Sequence, residues 1–79
     1  MRTIAERLAY ARRRQPYPGT RDFYMASKDQ LDQAGISEEL MLAFESGTTA
    51  PTWDQAVALS GPYGARAKWL HTGQLPIDF

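Results

Sequence analysis

Between Lys28 and Arg66 the chain holds no lysine or arginine, yet it carries six carboxylates: Asp29, Asp32, Glu38, Glu39, Glu45 and Asp54. Ionised carboxylates only accept hydrogen bonds, so on an exposed helix they could take the amino group of a cytosine in a DNA major groove. Metal or acid–base chemistry would need more. His71 is the only histidine and there is no cysteine, so zinc ligands of the expected kind are missing. Asp29 and Asp32 share a helix face at i, i+3, but nothing in the sequence builds a pocket around them. The glycines fall singly at turns and caps, with no phosphate-cradling loop. These features argue against an enzyme and predict neither a metal nor a cofactor.

The cations lie elsewhere. Residues 1–28 hold Arg2, Arg7, Arg12, Arg13, Arg14, Arg21 and Lys28 against Glu6 and Asp22, a net of +5. Residues 29–64 sum to −6, and Arg66 and Lys68 against Asp78 leave +1. The zero net charge therefore conceals a strongly dipolar chain, able to offer a basic and an acidic face to different partners. With 79 residues, 43% of them hydrophobic, the chain suits one small domain with one modest core. No apolar run approaches the 18 or so residues of a membrane span, and the charged start, Met1 to Arg7, is unlike a signal peptide. A cytoplasmic protein without membrane contact is expected.

Five helices are predicted to position these groups. The first spans about Thr3 to Arg14, with Ile4, Leu8 and Ala11 inward, arginines on the other side and a Thr3/Glu6 capping box. Two prolines and a glycine in residues 15–20 then interrupt the chain. The second helix is expected from Ser27, with Gln30 as its capping partner, to Gly35, and Phe23, Tyr24 and Met25 before it would either extend it or staple its entry. The third, capped by Ser37, should run to Ser46 before Gly47. The fourth should start at Thr52, bury Ala56, Val57 and Leu59, and break at Gly61-Pro62. The fifth should cover about Ala65 to His71, with Trp69 and Leu70 inward and Gly73 as its stop. Trp53 and Trp69 are both expected in or beside the core. The class is all-α.

The run Ala34-Gly35-Ile36-Ser37, four residues, then Phe44-Glu45-Ser46-Gly47 resembles the helix-turn-helix of the phage repressor and Cro (XRE-like) family. Arg7 to Arg12 is similar to that family's first helix, Pro51-Thr52-Trp53 to the opening of its fourth, and Trp69 to Gly73 to the close of its fifth. The resemblance covers nearly the whole chain except residues 15–26. It implies a compact five-helix, lambda-repressor-like domain over residues 1–74, with an extended first connection at 15–26 and a tail at 75–79.

The resemblance also implies a small transcriptional regulator that binds duplex DNA. Glu38, Glu39 and Ala43 would face the bases, while Arg13, Arg14, Arg21, Lys28 and Gln30 would meet phosphates. Arg12 and Glu45 would form a buried ion pair. The recognition helix departs from the pattern: its reading positions are acids and a methyl with Leu40 and Leu42 beside them, and Thr48-Thr49-Ala50 replaces a basic turn. Affinity for DNA comes largely from phosphate neutralisation, which two unsupported carboxylates would oppose. In the first helical turn those acids also have a local role, stabilising the macrodipole by about 0.3–1 kcal/mol. A second function class therefore stays open: a protein-binding module on the same framework, using the acidic and apolar third helix. The alternating tail Leu75-Pro76-Ile77-Asp78-Phe79 would either make a homodimer contact or fold back on its own domain.

Overall fold

The computed structural model describes residues 2–79, and these form five α-helices: α1 (Ile4–Arg13), α2 (Thr20–Gln33), α3 (Glu38–Ser46), α4 (Trp53–Tyr63) and α5 (Ala67–Thr72). No strand occurs among the described residues. The termini follow local chemistry. Thr3 and Glu6 satisfy each other's backbone amides in a full capping box, and Thr52 and Gln55 repeat the device at α4. Ser37 caps α3 by accepting from the Leu40 amide at 3.1 Å. At the far end Gly47 adopts φ 81°, a left-handed conformation in which a side chain would be strained.

The core is one cluster to which every helix contributes: Leu8 and Ala11, Phe23 and Leu31, Met41 and Phe44, Leu59 and Tyr63, Trp69 and Leu70, with Ile36 and Ala65 from the connections. Phe23 packs tilted on Tyr63 with ring centroids 4.6 Å apart, joining the start of α2 to the end of α4.

That contact explains the main departure from expectation. Helix α2 starts at Thr20, two turns before Ser27, and the connection from α1 is only residues 14–19. Of the residues assigned to an extended first connection, 20–26 are instead helical, because Phe23 and Tyr24 continue the inward stripe of Ser27 and Leu31. Ser27 lies inside the helix and caps nothing. Lys28 accordingly sits in the middle of α2, not in its first turn.

Helix α4 also differs. It runs through Gly61 and Pro62 and stops only at the left-handed Gly64. Val57, expected inside, is 48% exposed, because Ala56, Leu59 and Tyr63 define the inward face and Val57 falls off it. Trp69 is buried as expected, whereas Trp53 lies on the surface, edge-on to His71 and beneath the Lys68 ammonium. The tail folds back: Ile77 packs against the core, and its carbonyl accepts from the Arg66 amide at 2.8 Å.

Candidate functional site

The surface of α3 is set by a buried network at its last turn. Arg12 Nε donates to both carboxylate oxygens of Glu45, at 2.9 and 3.0 Å. The Tyr63 hydroxyl donates to Glu45 Oε2 at 2.8 Å, and a second Arg12 nitrogen donates to the Pro18 carbonyl. Side-chain exposure is 11% for Arg12 and 7% for Glu45, so the expected ion pair is present and buried. It ties α1, α3, α4 and the α1–α2 turn together. Tyr63 was not expected in it. Burial, followed by the neighbouring Glu45 charge, pushes its hydroxyl far above the ordinary phenol value.

With Met41 and Phe44 held inward, helical geometry decides what faces out. Residues 39, 42, 43 and 46 lie on one side of the axis, opposite Met41 and Phe44. Glu39 and Ser46 are exposed, Leu42 is 40% exposed and Ala43 is half-buried. Glu38 is turned aside. It is half-buried on the flank and forms an ion pair with Arg21 from the first turn of α2. The three base-facing candidates therefore separate: Glu39 and Ala43 share the outward face, joined by Leu42 and Ser46, while Glu38 faces α2.

The candidate phosphate contacts separate too. Arg14 bonds Asp78 of the tail at 2.6 Å and lies over the Tyr10 ring, 5.6 Å from its centroid. Lys28 bonds Asp32 one turn along the same helix at 2.5 Å, and that bond raises its pKa. Asp78's bond likewise raises that of Arg14. Arg21 serves Glu38. Gln30 is exposed, but two residues along a helix is a rotation of about 200°, so it lies nearly opposite Lys28. Arg13 lines a cavity of about 850 Å³ between α1 and the end of α3, with Ala5, Ala9 and Tyr10 on one wall and Phe44, Ser46 and Gly47 on the other. Arg21 and Arg13 thus stand at the first and last turns of α3.

Arg7 was read as a surface residue and is 5% exposed. Its Nε donates to the Leu70 carbonyl at 3.0 Å, and its terminal nitrogens to the carbonyls of His71 and Arg2. It therefore closes the C-terminal end of α5, where carbonyls lack helical partners and a cation is favoured. Burial lowers its pKa, partly offset by Glu6. The signal was available: residues 4, 7, 8 and 11 form one helical stripe, and Arg7 sits within it. Among the described residues no three potential ligands converge as a metal site, and no helix is long and apolar enough to cross a membrane. Comparison with family models, curated proteins and solved structures gives no match for this chain.

Proposed function

We propose that the chain is a small transcriptional regulator of the phage repressor or Cro type, with α2 and α3 as a helix-turn-helix that lays α3 in the major groove of duplex DNA. The reading rests on the residues that resemble that family and on one geometric observation. The Arg21–Glu38 pair removes one of the two carboxylates from the outward face of α3 and neutralises it. The objection that two unsupported acids would enter the groove is thereby reduced to Glu39 alone. Arg13, Arg14 and Lys28 would supply phosphate contacts, while Arg21 stays with Glu38. Exposed ion pairs contribute little, so phosphates can compete for Arg14 and Lys28. In this reading Gln30 is no partner of Lys28 on one DNA strand, since the two project from opposite sides of α2. Binding as a homodimer belongs to the same proposal.

A second reading has its own support. From Thr20 to Ser46, with Glu45 buried against Arg12, the two cations Arg21 and Lys28 stand among five carboxylates, a net of −3, and Leu42 is exposed among them. That surface fits a protein partner with a basic or apolar site, and the chain would then be an adaptor or inhibitor without DNA affinity.

Titration against a generic duplex at two salt concentrations distinguishes the readings. Binding at micromolar or tighter Kd that weakens steeply with salt supports the regulator, because each phosphate contact adds about 0.9 to the logarithmic salt slope. No binding at low salt removes it and leaves the protein-binding module.

A further inference from the structure

We propose that the cavity between α1 and the end of α3 binds a small amphipathic monocarboxylate of the medium-chain fatty acid type, its carboxylate on Arg13 and its apolar body along Ala5 and Ala9. Neither functional reading is needed for this site. In the regulator reading, an occupied site would withdraw Arg13 from phosphate.

The space exists because its walls are small. Ala5 and Ala9, one turn apart on α1, face Gly47, and a Cβ at Gly47 would meet Ala5 Cβ at 3.9 Å. Ile4 and Phe44 complete an apolar lining. The volume of about 850 Å³ falls within the roughly 300–1,000 Å³ of small-molecule sites. Water against such walls finds few hydrogen-bond partners, so an apolar body that displaces it is favoured.

Charge decides which end of the ligand goes where. Three charged side chains line the cavity, Glu6, Arg13 and Glu45. Glu45 is neutralised by Arg12 and bonded by Tyr63. Glu6 Oε1 accepts from the Thr3 hydroxyl and amide and from the Arg2 amide, and these bonds hold its carboxyl below the usual value, so it is ionised at neutral pH. Arg13 is exposed, and no hydrogen bond or ion pair involves its side chain among the described residues. Its planar guanidinium can hold a carboxylate through two parallel bonds. Seven residues along a helix is a rise of about 10 Å and nearly two whole turns, so Glu6 and Arg13 face the same way at opposite ends of the space. An anion is drawn to the Arg13 end and repelled from the Glu6 end. That fixes the ligand's direction and excludes a second carboxylate at its far end.

Amide chemical-shift titrations of the unmodified protein with octanoate, acetate, 1-octanol and octanedioate test the proposal. Octanoate should shift the amides of Ala5, Ala9 and Gly47 and saturate at millimolar or tighter Kd. Acetate, which lacks the chain, and 1-octanol, which lacks the charge, should each bind at least about tenfold more weakly. Octanedioate should bind weakly to the unmodified protein and about as well as octanoate to Glu6→Gln, which keeps the capping box. Arg13→Gln should cost octanoate about tenfold and leave 1-octanol unchanged. The same spectra show whether each variant is folded, and the comparison of the first three compounds needs no substitution. Absence of saturation in the millimolar range, shifts confined to other amides, or acetate or 1-octanol binding as well as octanoate overturns the site. Unchanged octanoate affinity in folded Arg13→Gln does the same, and octanedioate still excluded from Glu6→Gln overturns the assigned direction.

Discussion

Glu45 receives three hydrogen bonds at a buried position, and no buried side-chain nitrogen or oxygen among the described residues lacks a partner. Arg12→Ala or Glu45→Ala each strands a buried charge, and either should lower stability by about 3–5 kcal/mol in denaturant titration. The double substitution should cost clearly less than the sum. Tyr63→Phe removes one bond to a charged acceptor and should cost about 1.5–3 kcal/mol at neutral pH. It should also blunt alkaline unfolding. The folded pKa of Tyr63 lies above its ordinary 10.0, so its contribution is complete below that pH and is lost as pH rises beyond it. Chemical denaturation at pH 8 and pH 11 tests this, and an equal pH loss in both proteins would contradict it. At this scale Arg12–Glu45 was readable from the family resemblance. Tyr63 was not, because its partnership spans 18 residues and no local spacing marks it.

Among elements, α2 and α5 depend most on partners outside themselves. The first two turns of α2 begin at Gly19, which provides no side-chain cap, so Phe23 in the core holds them. Phe23→Ala should cost about 3–5 kcal/mol and expose residues 20–26 to amide exchange before the rest of the helix. Helix α5 is six residues long, too short to persist alone. Arg7→Met keeps the apolar stem but leaves the carbonyls of Leu70 and His71 without their donor, and should cost about 1–3 kcal/mol. The caps at Thr3, Ser37 and Thr52 were legible because capping uses residues three apart. The start of α2 was not, since Ser27 with Gln30 imitates a cap inside a helix whose real boundary depends on the Phe23–Tyr63 contact.

Across the whole molecule the charge segregation of the sequence is partly cancelled by folding. The basic first third reaches the acidic middle through Arg12–Glu45 and Arg21–Glu38, and reaches the tail through Arg14–Asp78. In the DNA-binding reading, Glu39→Lys should raise generic duplex affinity severalfold and steepen the salt slope by up to about one unit. Glu38→Lys should also set a lysine against Arg21, so its gain should come with a small loss of stability. Unchanged affinity in both would place this face away from DNA. The tail provides a separate check. Asp78→Ala, which breaks an exposed pair, should alter stability by less than about 1 kcal/mol, whereas Ile77→Ala should cost more through lost packing.

The sequence alone determined the all-α class, the caps of α1, α3 and α4, most of the core and the order of five helices, because these depend largely on side chains within a turn or two of each other. Tertiary structure decided which charges remain available. Whether Glu38 faces outward or meets Arg21, whether Arg7 is solvated or closes α5, and whether Lys28 and Gln30 act together depend on the rotation and approach of whole helices. Residue spacing does not encode those distances until the core has packed.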